Sequence, residues 1–177
     1  MIIRKISPAR LTLKSITAWE DDWFLLTSGD FNSGKYNCMT VAWGSVGVMW
    51  SKPFVQVVVR PGRYTYQFME KFESFSLCAF TRKYRSVLNY LGSVSGRQVA
   101  KLAQAGLTPS AATRINAPIY KEATLRIECQ KIYYDDFKPG NFLTPDIASN
   151  YPKQDYHRIY YGAIVAITGT SKYCKLD

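Results

Sequence analysis

The sequence predicts a mainly β protein with short helices, its strands forming a mostly antiparallel sheet that curls into a closed or nearly closed barrel. Three observations carry that expectation. Tyrosine and phenylalanine are abundant, 13 and 9 of 177 residues, and aromatic side chains suit half-buried pleated surfaces. Runs of apolar or alternating residues recur along the chain, each bounded by turn-forming residues. The links between these runs are too short for many β-α-β crossovers, so neighbouring strands should run antiparallel.

Residues 1–22 are weakly patterned and end on Asp21 and Asp22. Trp23 to Thr27 reads as a first strand, stopped by Ser28-Gly29-Asp30, and Tyr36 to Trp43 as a second. Gly44 and Gly47 then suggest a glycine-broken loop, in which the backbone makes shapes or close approaches that a side chain would block. Pro53 opens a third strand, Phe54 to Arg60, whose Val57-Val58-Val59 run fits burial on both faces. Pro61-Gly62 makes a turn, Thr65 is a candidate helix N-cap, and Tyr64, Phe68 and Phe72 fall on one face of a short helix.

Ser74 to Phe80 is the next predicted strand. Tyr84, Val87, Leu88 and Leu91 then mark a second helix closed by Gly92. Ser95 and Gln98 stand at capping-box spacing for a third helix, which Gly106 would end. From Ala123 the alternation is clean, with Leu125, Ile127 and Cys129 facing one way and Arg126, Glu128 and Gln130 the other, as in a half-exposed strand. Residues 135–155 carry Pro139, Pro145 and Pro152 in a turn-rich segment long enough to serve as a lid or interface arm. Ile159 to Thr168 is the last predicted strand.

Composition narrows the function. A chain of 177 residues fits one domain, residues 1–177, and 47% apolar against 20% charged residues argues against disorder. No apolar run approaches the roughly 20 residues of a membrane span, and no apolar signal core follows the N-terminus, so a cytoplasmic protein is expected. Cys38, Cys78, Cys129 and Cys174 form no C-x-x-C pair, and a single histidine rules out a histidine-based metal site. The net charge of +10 suits either an anionic partner or a solubilising surface. Its spread along the chain, with no basic run, argues against nucleic acid.

Four segments could carry chemistry. In Arg60-Pro61-Gly62-Arg63-Tyr64-Thr65, guanidinium groups, hydroxyls and a helix N-terminus can together hold a phosphate, although a solvated turn fits the same spacing. Asn37, Met39, Thr40, Val41, Ala42 and Trp43 could offer polar and backbone groups to the edge of a heterocycle, or could be an ordinary strand. Ser93-Val94-Ser95-Gly96-Arg97, followed by Lys101, forms a second anion-friendly helix start that a plain helix cap also explains. His157, beside Asp155, is a candidate for orienting an electron donor. No Ser/His/Asp triad, P-loop or GxGxxG is present, so any catalysis should rest on a cofactor.

The segments NCMTVAWGSVGVMWSKP, VVVRPGRYTYQFMEK, YRSVLNYLGSVSGR, LTP and NYPKQDYHRIYYG resemble, in pattern and order, the flavoredoxin-like flavin reductases. That resemblance runs from about Trp23 to Ile167 and implies an FMN-binding split barrel, a homodimer with FMN near its interface, and NADH or NADPH as electron donor. It implies that Arg60, Arg63, Tyr64 and Thr65 hold the phosphate, that Asn37, Met39, Thr40, Val41, Ala42 and Trp43 line the ring and ribityl chain, and that Ser95, Gly96, Arg97 and Lys101 add phosphate or ring contacts. Two departures bear on donor handling: Gln98 stands where relatives usually carry an acid, and Gly162-Ala163-Ile164 replaces the usual Gly-Glu-Ile. A flavin-binding electron carrier without a nicotinamide site is the second reading. A basic barrel that stacks nucleic-acid bases on aromatic side chains is the third.

Overall fold

The computed structural model describes residues 1–175. The strands are β1 (Arg4–Lys5), β2 (Phe24–Asp30), β3 (Lys35–Val41), β4 (Gly44–Met49), β5 (Lys52–Val59), β6 (Ser74–Ala79), β7 (Pro109–Ser110), β8 (Ile119–Tyr120), β9 (Leu125–Asp136) and β10 (Arg158–Gly169). The main sheet runs β3-β2-β6-β9-β10-β5-β4, with β1 added to β10, while β7 and β8 pair separately. Every ladder is antiparallel among the described residues. The two ends of that order, β3 and β4, share no ladder, so the sheet curls without closing, which is the opening of a split barrel.

Five α-helical segments accompany the sheet: α1 (Ser15–Thr17), α2 (Tyr64–Lys71), α3 (Arg85–Ser93), α4 (Lys101–Gln104) and α5 (Pro145–Ala148). The strand period of two decides what packs where. Phe24 and Leu26 of β2 point into the barrel with Val55, Val57, Leu77, Ile127 and Tyr160. Leu25, Cys38 and Cys78 point the other way, onto Leu88 and Leu91 of α3 and onto Tyr120. Each such large side chain contributes about 1.5–3 kcal/mol by leaving water. The Val57-Val58-Val59 run is buried on both faces, as expected. No helix among the described residues is long and apolar enough to cross a membrane.

Several sequence expectations need correcting. Gly44 to Met49 is a strand, not a glycine-broken loop. It forms a two-residue hairpin with β5 across Trp50 and Ser51, both at positive φ (52° and 55°). Gly44 is needed there for close approach: a Cβ would lie 2.4 Å from the Gln56 carbonyl oxygen and from the Trp19 ring. Thr65 does not cap α2. The N-cap is Arg63, and Thr65 lies inside the helix, 1% exposed, with Met69 beside it on the buried face. Gly92 does not close α3, which continues to Ser93. The helix predicted from Ser95 begins only at Lys101, because residues 95–98 form a turn in which the Gln98 amide bonds the Ser95 carbonyl. Glu128, placed by alternation on an exposed face, is 1% exposed and accepts hydrogen bonds from the Thr113 and Arg114 amides and the Thr113 hydroxyl.

Candidate functional site

Two adjoining cavities gather nearly all the residues singled out from the sequence, and they meet at Met39. The first, about 80 Å³, lies at the start of α2 and is lined by Asn37, Met39, Arg63, Tyr64, Thr65, Ser95, Gly96 and Lys101, together with Gly62, Ser93 and Val94. The second, about 200 Å³, is lined by Met39, Thr40, Val41, Ala42, Trp43, Arg60 and His157, with Val58. Arg97 lines neither, but its guanidinium lies 5.1 Å from the Tyr64 ring centroid and donates to the Gly62 carbonyl at 3.1 Å.

The first cavity is suited to an anion. No side chain caps α2, and while the Tyr66 amide bonds the Arg63 carbonyl, the Tyr64 and Thr65 amides and the positive end of the dipole are left for a ligand or water. Arg63 is half-buried, and one of its N–H groups donates to the Gly92 carbonyl. That leaves most of its five donors free. Burial, helped by the nearby charge of Arg60, pulls its pKa down, the signature of a cation lacking compensating negative charge. Lys101, 4% exposed, also has its pKa lowered, chiefly by burial. Its ammonium donates to the Leu91 and Val94 carbonyls at 2.7 and 3.0 Å, capping the end of α3, so one proton remains for a ligand. Gly96 is required by crowding, since a Cβ there would sit 2.4 Å from Asn37 Oδ1.

The second cavity mixes apolar side chains, Met39, Val41, Ala42, Trp43 and Val58, with the polar Thr40, Arg60 and His157. Strand β3 is an edge strand paired only with β2, so alternate backbone N–H and C=O groups along it have no strand partner. Val41 and Met39 are buried, while the Thr40 hydroxyl is committed to the Leu88 carbonyl at 2.5 Å. Trp43 is 47% exposed, with its ring 5.3 Å from the His157 imidazole. His157 is buried, and its pKa is lowered to about 4, first by burial and then by Arg60, so the imidazole is neutral at pH 7. Its Nδ1 lies 2.8 Å from the Tyr151 hydroxyl.

The two arginines of the predicted phosphate turn do not converge. Arg63 faces the first cavity and Arg60 the second. Arg60 donates to the Asp155 carboxylate at 2.9 Å and to the Asn150 carbonyl at 2.8 Å, and lies 5.0 Å from the Tyr151 ring centroid. It thus holds the 137–157 segment against the site. Their separation follows from the turn: the Arg63 amide bonds the Arg60 carbonyl, and the chain reverses between the two side chains. Sequence reading missed Tyr151, whose role depends on a contact with His157 that only the folded loop makes. Gly62, Ser93 and Val94 read from sequence as parts of the two anion-friendly stretches without a role of their own, and all three line the first cavity. Among the described residues no three His, Cys, Asp or Glu side chains cluster in a way that could hold a metal.

The chain matches the flavin reductase like domain over residues 22–173. No curated protein matches it in sequence. Among solved structures it is similar to the flavoredoxin of Desulfovibrio vulgaris (Miyazaki F), 22% identical with a TM-score of 0.66, over 91% of this chain and 75% of that one. It is similar also to the flavoredoxin of Methanosarcina acetivorans, 24% identical with a TM-score of 0.65, over 87% and 71%. A third is an FMN-binding domain of a flavin reductases-like enzyme from Shewanella baltica OS155, 17% identical with a TM-score of 0.69, over 97% and 78%.

Proposed function

The chain belongs to the flavin reductase-like domain family, and on that premise we propose that it is an oxidoreductase that holds FMN across the two cavities and passes electrons from NADH or NADPH to an acceptor. The observation that carries this reading is the uncapped start of α2, where Arg63, Thr65, Ser95 and Gly96 line one cavity that meets a second at Met39. The donor set fits the group. Cationic and amide donors gather at one end, and an edge strand with an aromatic wall lies at the other.

Bound flavin would supply the redox chemistry, accepting a hydride and releasing electrons. The residues of the chain supply position and electrostatics. Arg63, the first amides of α2, and the turn at Ser95 and Gly96 hold the phosphate, with the remaining Lys101 proton adding charge. The free edge of β3 at its end, Met39 to Val41, and the Ala42-Trp43 link after it present backbone groups to the polar rim of the ring, where such donors stabilise negative charge. His157, neutral and fixed through Tyr151, borders the ring cavity and orients the donor by hydrogen bonding. In the tautomer with Tyr151 donating to Nδ1, the Nε2–H is the donor left over. Arg60 acts by holding the 137–157 segment beside that cavity.

A second copy of the chain covers the exposed aromatic cluster of Trp50, Tyr133 and Tyr161. Trp50 is 56% exposed and Tyr133 46%, and the Tyr133 and Tyr161 rings lie 5.7 Å apart. Exposed apolar clusters of this kind mark interaction faces.

The test of the proposed activity is anaerobic mixing of the FMN-loaded protein with NADH or NADPH. Rapid bleaching of the flavin absorbance is expected. A flavin that stays oxidised with both donors leaves an electron carrier without a nicotinamide site. A protein that binds no FMN overturns the reading.

A further inference from the structure

One end of the sheet carries positive charge that the fold does not neutralise. Arg4 and Lys5 of β1 pair with Gly169 and Thr168 at the end of β10, and the helical turn Ser171–Tyr173 follows directly. Leu11 bridges Cys174 and the Lys175 amide bonds the Arg10 carbonyl, so residues 4–11 and 168–175 lie side by side. Arg4, Lys5, Lys172 and Lys175 are exposed, and none of the four is paired with a carboxylate among the described residues. No Asp or Glu occurs anywhere in residues 1–19 or 156–175. Arg126 lies across Thr168 from Lys5 in the β9–β10–β1 ladders and adds a further charge behind them. Just ahead of Arg4, two aliphatic side chains are left in water: Met1 is 70% exposed and Ile2 73%.

Uncompensated cations beside exposed aliphatic side chains suit a surface that is anionic outside and apolar just beneath. Single-stranded nucleic acid fits less well, because its bases need rings to stack on. The large aromatic side chains exposed among the described residues, Trp43, Trp50, Tyr133 and Tyr134, all lie outside these two terminal segments, and Tyr173 within them is buried. We propose that this end of the protein docks on the surface of an anionic lipid bilayer. Arg4, Lys5, Lys172 and Lys175 face the lipid headgroups, and Met1 and Ile2 enter the acyl boundary. The contact is peripheral, since no helix among the described residues is long and apolar enough to cross a membrane. His157 stands just before β10 and Gly169 ends it, so a strand of 12 residues separates the docking end from the histidine. The bilayer therefore leaves the two cavities uncovered. Docking also gives the net charge of +10 a use that one bound phosphate does not require.

The test is cosedimentation of the full chain with vesicles of phosphatidylcholine alone and of phosphatidylcholine with about one-third phosphatidylserine. Binding to the anionic vesicles alone is expected, and it weakens as salt is raised. Each cation near the surface adds about fivefold in affinity, so combining Arg4→Glu, Lys5→Glu, Lys172→Glu and Lys175→Glu lowers it by at least about 100-fold. Ile2→Ser lowers it by about tenfold and leaves the salt dependence unchanged, a split that adsorption by charge alone would not give. All five positions are exposed, and an unchanged melting temperature shows that the variants are folded. A wild type that binds neither vesicle, or both alike, overturns the proposal, as does a charge-reversed variant that binds as well as the wild type. Binding to an oligonucleotide without binding to anionic vesicles assigns this end to nucleic acid and overturns it too.

Discussion

Asn37 on β3 donates from Nδ2 to the hydroxyl of Thr65 on α2 at 2.8 Å, and the two residues are 6% and 1% exposed. This one bond ties β3, the strand that borders both cavities, to α2, the helix that starts at the first of them. Neither element can shift without the other, so both ends of the site are held in register.

Thr65→Val keeps the shape but removes the acceptor, leaving an Asn37 proton without its partner. Burying an unmet donor costs about 1–3 kcal/mol, which urea unfolding would read as a lower midpoint at an unchanged slope. FMN and riboflavin should weaken together, because the register of the whole site is disturbed. A variant as stable as the wild type would show that the bond is not holding the two elements.

Arg60→Ala is expected to release the 137–157 segment, since Arg60 holds Asp155 and the Asn150 carbonyl. Limited proteolysis should then cut within that segment faster than in the wild type, and FMN and riboflavin should lose affinity to the same degree. Loss confined to FMN would return Arg60 to the phosphate.

His157 makes stability depend on pH. Its folded pKa of about 4 lies below the ordinary value of 6.5, so the unfolded chain binds the proton more readily. The stabilisation is therefore fully present above about pH 6.5 and is lost as pH falls through that window towards 4, up to about 3 kcal/mol in all. His157→Gln should flatten the melting-temperature profile between pH 6.5 and 4 relative to the wild type. Identical slopes would mean that other groups carry the acid sensitivity.

Trp50→Glu places a charge at the tip of the β4–β5 hairpin, in the exposed aromatic cluster. Light scattering should give a dimer for the wild type and a monomer for the variant. A wild-type monomer at micromolar concentration would remove the second copy from the account.

Much of the fold was readable because strand periodicity survives in β2, β3, β5, β6, β9 and β10. The missed strand β4 contains two glycines, and its pairing with β5 depends on a tight turn at Trp50 and Ser51, both at positive φ but neither a Gly, Asn or Asp that would mark such a turn. The site was readable as a set of residues but not as a layout. Arg60 and Arg63 look equivalent along the chain, and only the reversal between them sends one to His157 and the other to the start of α2. Lys101 looks like a free cation, yet two of its protons close the end of α3. The stripe of Tyr64, Phe68 and Phe72 has helical spacing, but the face that enters the core is Thr65 and Met69, and the rings line an open groove.

The most direct measurement compares FMN with riboflavin, by fluorescence quenching, in the wild type and in Arg63→Ala. Direct contact between Arg63 and the phosphate predicts that FMN weakens by about 10- to 100-fold, as expected for loss of a charge-assisted hydrogen bond, while riboflavin changes by less than about threefold. Equal losses for the two ligands would contradict a phosphate held at the start of α2.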